Sequence, residues 1–230
     1  MKGLITFSLY GDDPRYVSNA ILNKSLAEKY YPDWDMRVYF DETVPKETID
    51  ILEKQGCQIE DMTSSDINGV LWRCLGVDDE DYDAVIVRDI DSRLNYRESQ
   101  AVKEWLSSKE TLHSMRDAKE HNMLFQTGMW GCKPKQRKFS MQEWLSLAEP
   151  LKKNTYTHMS GYTWEDQLFL GMLLNNPETH EDGDILAHDD WLRHTDRQNV
   201  SPFPTSPRPR QHVGYAFLDP SEDSEKDECE

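Results

Sequence analysis

Along the first half of the chain, apolar residues recur first at strand spacing and then at helical spacing. Leu4 to Leu9 forms a short β-type run, and Asp13 followed by Pro14 supplies a helix N-cap with proline at the first helical position. Val17, Ile21, Leu22 and Leu26 then share helical spacing, which predicts a helix with these residues inward. Met36, Val38 and Phe40 alternate as a second strand, "VPKETIDILEKQG" reads as a helix closed by Gly56, and "CQIEDM" as a third strand. In "SSDINGVLWRCLGV", Val70, Leu71, Cys74 and Leu75 fit one face of a helix; the acidic loop "DDEDYD" and the strand "AVIVRDIDSR" follow.

The second half is less regular. The pattern predicts a helix over Gln100–Leu106, strands over Leu112–Met115 and Gly128–Cys132, helices over Gln142–Ala148 and Asp166–Leu174, and a strand in "DILAHD". In the helix after Asp166, Leu168, Phe169 and Met172 are expected to face the core. "SPFPTSPRPR" favours an extended surface segment, and "PSEDSEKDECE" has the composition of a disordered acidic tail. Strands alternating with helices predict an α/β fold: one domain over residues 1–218, its mainly parallel twisted sheet covered by helices on both faces, and a tail over 219–230. Ligands in such sheets gather outside the carboxyl ends of the strands.

Composition narrows the function. With 230 residues the chain can bury a substantial core, and its formal charge of -17 argues against a broad nucleic-acid or anionic-lipid surface. A nucleotide could still bind locally, with a metal ion or a few arginines offsetting the repulsion. The four cysteines show no metal-site or disulfide spacing, which favours a reducing, cytoplasmic setting, and no run approaches membrane-spanning length.

"AVIVRDIDSR" raises the chemical question. Residues two apart on a strand point to one side, so Asp89 and Asp91 can present both carboxylates to one place as the chain leaves the sheet. Two such anions repel unless a proton or cation lies between them, and hard Mn²⁺ or Mg²⁺ prefers oxygen ligands. Asp-x-Asp also occurs at Asp33/Asp35, Asp79/Asp81, Asp81/Asp83 and Asp182/Asp184, where a solvated turn is the simplest reading. The apolar run "AVIV" sets Asp89/Asp91 apart, and Arg88 and Arg93 add donors suited to phosphate or carboxylate.

"AVIVRDIDSR", preceded by "LWRCL" and followed by "TGMWG" and "GYTWEDQLFL", resembles the DxD-containing glycosyltransferases of the GT-A fold, a Rossmann-like single domain, over roughly Leu4 to Phe217. The resemblance implies transfer of a sugar from a nucleoside diphosphate sugar to a hydroxyl of a glycan or related acceptor. It implies Mn²⁺ or Mg²⁺ on Asp89 and Asp91, with a late histidine as third ligand: His212 in preference to His188. Thr6, Ser8 and Tyr10 would stand by the base and ribose, with Tyr10 stacking on the base, and Arg73, Arg88 and Arg93 would serve the phosphates or orient the aspartates. Asp166 or Glu165 would act as general base or touch the acceptor; from the residues themselves, Asp117 at the end of a strand is a third carboxylate candidate, and Trp130, set between glycines in "QTGMWGCK", can with Gly128 meet the flat face of an acceptor sugar. Two rivals remain: a haloacid-dehalogenase-like phosphatase with Asp89 as nucleophile, which would release inorganic phosphate from simple esters, and a non-catalytic nucleotide-sugar or glycan binder.

Overall fold

The structure is a computed structural model that describes residues 1–121, 123–147, 165–176, 178–179, 181, 183–193, 198–207 and 211–217, the side chains of 147, 165, 168 and 175 excepted. The acidic tail, residues 161–164 of "GYTWEDQLFL", the end of the helix expected to reach Ala148, the Asp182 member of one Asp-x-Asp pair and the side chains of Glu165 and Leu168 lie outside it.

Among the described residues, eight strands form one sheet in the order β3-β2-β1-β4-β6-β5-β7-β8. They are β1 (Gly3–Leu9), β2 (Trp34–Phe40), β3 (Gln58–Asp61), β4 (Ala84–Arg88), β5 (Leu112–Arg116), β6 (Met129–Cys132), β7 (Ile185–Asp189) and β8 (Asn199–Ser201). Only β6 runs against the others, pairing antiparallel with both β4 and β5. β8 is a three-residue edge strand without an alternating pattern of its own, which the periodicity does not reveal.

The apolar runs on β1 and β4 reflect burial on both sheet faces. Leu4, Val85 and Val87 enter one core with Trp130, Leu170 and Leu173, while Ile5, Phe7, Leu9, Ala84 and Ile86 enter the other with Trp105 and Leu52. Each such Val, Ile or Leu contributes about 1.5–3 kcal/mol by leaving water. Five helices cover the described sheet: α1 (Pro14–Tyr30), α2 (Lys46–Lys54), α3 (Tyr96–Ser107), α4 (Met141–Leu147) and α5 (Glu165–Asn175). Asp13 caps α1 by accepting from the Arg15 amide at 2.9 Å, and Gly56 closes α2 with a left-handed φ of 83°.

Three helical expectations change. The buried stripe of α1 is Asn19, Ala20, Asn23 and Ala27, while Val17, Ile21, Leu22 and Leu26 are only half-buried. On α5 the core face is Phe169, Leu170, Leu173 and Leu174, and Met172 is 73% exposed. The "LWRCL" segment is a ten-residue 3₁₀ helix, Gly69–Asp78, rather than an α-helix. A three-residue period stacks Leu71, Cys74 and Val77 in the core and puts Arg73 and Gly76 together on the side facing β1. There the Arg73 amide donates to Ser8 Oγ at 3.0 Å, and a Cβ at Gly76 would meet the Thr6 methyl. Tertiary packing overrides the α-helical spacing here, and it aims the Arg73 guanidinium past the end of β1.

Candidate active site

The turn that follows β4 is fixed from two sides. From α1, Asn23 Nδ2 donates to the carbonyls of Ile90 (3.1 Å) and Ser92 (2.8 Å), and its Oδ1 accepts from the Leu94 amide at 3.1 Å. One turn earlier, Asn19 Oδ1 accepts from Arg93 Nε at 2.9 Å, and Arg93 stacks on Phe217 at 3.9 Å. From the C-terminal segment, the Phe217 amide donates to the Asp91 carbonyl at 2.9 Å, and Ala216 bridges Ser92.

A cavity of about 550 Å³ opens at this turn, beside the carboxyl ends of β1 and β4. Ser8, Tyr10, Arg73, Asp89, Asp91, Gly128 and Asp166 line it. Arg73 is its electrostatic centre: Nη1 pairs closely with Asp89, and Nη2 lies 3.6 Å from Asp166 Oδ2. Burial opposes the Arg73 charge, but Asp89 and Asp166 outweigh it and raise its pKa. Gly128 stands directly against Asp89, where any Cβ would overlap the carboxylate. Tyr10, 46% exposed, meets Trp72 edge-on with centroids 6.0 Å apart, leaving its ring open to solvent.

Two carboxyls are perturbed. Burial and then the neighbouring Asp89 charge push Asp91 up to about 6, against the pull of Arg15 and Arg73. Burial also raises Asp166, with Asp89 adding to it and Arg73 opposing it. Asp166 is the second residue of α5, and its Oδ1 accepts from the Gln167 amide at 2.8 Å.

The carboxylates of Asp89 and Asp91 suit a hard divalent ion, and the raised pKa of Asp91 marks a place short of positive charge. Among the described residues no group of three or more His, Cys, Asp or Glu is arranged to hold a metal. A bound ion would therefore complete its shell with water and ligand oxygens.

Several candidates lie elsewhere. Thr6 is buried and donates to the Ile86 carbonyl at 3.3 Å. Arg88 is enclosed behind the sheet, donating to the Val87 and Trp130 carbonyls, both at 2.9 Å, and pairing with Glu98. Arg93 is committed to Asn19 and Phe217. Asp117 is held by Arg97 at 2.7 Å and accepts from the Val213 amide at 2.8 Å, so it serves as a buried anchor for the C-terminal segment. Trp130 is fully buried core, unavailable to a sugar. His188 is buried against His113 at 2.8 Å, and His212 packs on His121 and Tyr215 without lining the cavity.

Arg15, Tyr16, His121, Gln126 and Thr127 line the cavity without a sequence signal of their own. Asn19 and Asn23, which hold the turn, stand on a buried stripe that the apolar spacing of the helix does not mark, and inside the fold they need polar partners.

No protein-family model and no curated protein matches this sequence. Among solved structures, the chain superposes on the glycosyltransferase GlyE of Streptococcus pneumoniae TIGR4 with a TM-score of 0.51 and 16% identity, covering 83% of this chain and 46% of that one. It also matches an active-site mutant of LgtC (TM-score 0.48, 14% identity, 90% and 89% covered). A third match is glucosyl-3-phosphoglycerate synthase of Mycobacterium tuberculosis in complex with Mn²⁺, UDP and phosphoglyceric acid (TM-score 0.42, 13% identity, 59% and 56% covered). The chain spans about half the length of GlyE and of the synthase. The likeness to GlyE, together with the eight-stranded mostly parallel sheet, gives this chain the GT-A fold.

Proposed function

We propose that the cavity binds a nucleoside diphosphate sugar and transfers its sugar to an acceptor hydroxyl. The observation that carries this reading is the Arg73 guanidinium joined to both Asp89 and Asp166 on a cavity that also receives Asp91.

In this reading Asp89 and Asp91 hold Mn²⁺ or Mg²⁺, which when bound supplies the positive charge that a departing nucleoside diphosphate needs. Arg73 orients Asp89 and adds a second positive charge beside the same leaving group. Tyr10, at the end of β1, offers an open aromatic face for the base, and Ser8 fixes the Arg73 backbone. Asp166 takes the acceptor proton; burial raises its pKa and makes it a better base than an exposed aspartate, while the Arg73 charge opposes that rise. Gly128 leaves Asp89 room to swing between Arg73 and metal.

A thermal-shift panel of UDP, GDP, CDP and their common sugar conjugates, with and without Mn²⁺, tests the reading. A ligand bound to the native state raises Tm by mass action. The expected result is a shift that needs the metal and vanishes in Asp91→Ala. A panel without any metal-dependent shift, or an unchanged shift in that variant, refutes the assignment; release of inorganic phosphate from simple esters would favour a phosphatase.

A further inference from the structure

One imidazole on the cavity wall is unused by the donor chemistry. His121 stands between β5 and β6 and lines the cavity along with Gln126, Thr127 and Gly214. Its ring packs edge-on against His212, with centroids 4.8 Å apart at 80°, and His212 meets Tyr215 in the same way at 5.6 Å. These contacts fix the ring without using its nitrogens. Nδ1 is enclosed and has no partner among the described residues, whereas Nε2 is not enclosed and makes no hydrogen bond to them either.

Burial, then His212 and Arg193, lower the His121 pKa to about 4, so the ring is neutral at pH 7. The tautomer with its proton on Nε2 leaves only a lone pair at the enclosed Nδ1 and presents an N–H where a ligand can reach it. A neutral donor brings no charge to a phosphate, and it suits an uncharged oxygen that can accept one bond while giving its own proton elsewhere. A sugar hydroxyl has that character.

We propose that His121 Nε2 binds a hydroxyl of a carbohydrate acceptor, making the β5–β6 side of the cavity the acceptor subsite. This rests on the reading of the cavity as a nucleotide-sugar site. Holding one hydroxyl fixes the orientation of the sugar ring and so selects which of its other hydroxyls faces the donor.

The test uses the full chain with Mg²⁺ and whichever of UDP or GDP raises its Tm. Methyl glucoside, methyl galactoside and methyl mannoside are added as probes and followed by saturation-transfer NMR, alongside the ¹⁵N resonances of labelled histidine. Expected is saturation of at least one glycoside, with a shifted Nε2 resonance that is missing in His121→Phe. That variant weakens the glycoside about ten-fold, the worth of one good hydrogen bond. His121→Gln, which keeps a hydrogen-bonding atom near Nε2, restores much of the loss, and nucleotide affinity stays unchanged in both variants as the check on folding. Equal glycoside binding in His121→Phe, or a lost nucleotide response in His121→Phe and His121→Gln alike, overturns the proposal. So does nucleotide binding with no glycoside bound, which leaves the donor reading standing; failure of nucleotide and glycosides together removes both.

Discussion

Asn23, on the inner face of α1, donates to the Ser92 carbonyl at 2.8 Å and thereby ties the first long helix to the turn that bears the paired aspartates. Its carboxamide also reaches Ile90 and Leu94, so one side chain satisfies three backbone groups of the turn. Asn23→Ala leaves those groups enclosed without partners, at a cost of about 2–4 kcal/mol. Urea denaturation should show that loss. Metal-dependent nucleotide binding should weaken further than the stability change accounts for, and normal binding by the surviving folded fraction would assign Asn23 to stability alone.

Asp91 is expected to strain the metal-free protein. Its folded pKa, about 6, lies above the ordinary value of 3.8, so the native state holds the proton more tightly than the unfolded chain. The stability linked to that proton is complete below pH 4 and disappears as pH rises through 6. Asp91→Asn should therefore raise stability at pH 7 without metal by about 3 kcal/mol, a Tm gain of several degrees, while abolishing the response to Mn²⁺. A variant no more stable than the parent at pH 7 would contradict the electrostatic account.

Gly128→Ala is expected to harm binding more than folding. The added methyl lands on the Asp89 carboxylate, which is partly exposed and can turn aside, so the overpacking cost should stay at about 1–3 kcal/mol. The displaced carboxylate loses its pairing with Arg73, and Mn²⁺-dependent nucleotide affinity should fall by at least about ten-fold, measured by calorimetry. Parental affinity in this variant would show that Asp89 has no fixed position to lose.

Acid should destabilise the protein through the buried His113–His188 pair. Burial, then His188, lower His113 well below its usual 6.5, and burial also lowers His188 despite Glu104. Two neutral rings sharing one hydrogen bond cannot both be protonated, whereas the unfolded chain takes up both protons. Stability is thus full above pH 6.5 and declines as pH falls below it. Because His113 stacks on Trp105 at 5.2 Å, phenylalanine should fit its place. His113→Phe should flatten the slope of stability against pH between 5 and 7, and an unaltered slope would assign it to other groups.

Much of the architecture is written as local pattern. The apolar runs of β1 and β4 announce two-sided burial, and the Asp-x-Asp at the end of β4 stands apart from four similar pairs because a buried strand aims it. Arg73 lines the cavity, but the α-helical spacing around it becomes a 3₁₀ helix once Gly76 packs on Thr6. What local pattern does not contain is partnership across the fold. Arg88, Arg93 and Asp117 look as reactive in sequence as Arg73 and Asp166, and only tertiary structure shows them committed to Glu98, Asn19 and Arg97. Trp130 between two glycines suggested a sugar platform, yet Gly128 makes room for Asp89 and Gly131 for Trp105, and the indole is core.

The reversed direction of β6 reaches beyond the sheet. Because Met129 pairs with Arg88 and β6 also runs antiparallel to β5, the chain leaves β5 and enters β6 at the same edge, where β4 ends, so the connection between them stays at the carboxyl ends of the strands beside the cavity. Within that connection Asp117, Phe125 and Gly128 are tied into the fold, whereas Lys119 and Glu120 are exposed, so side chains at the cavity's rim can change while the charge centre stays where it is.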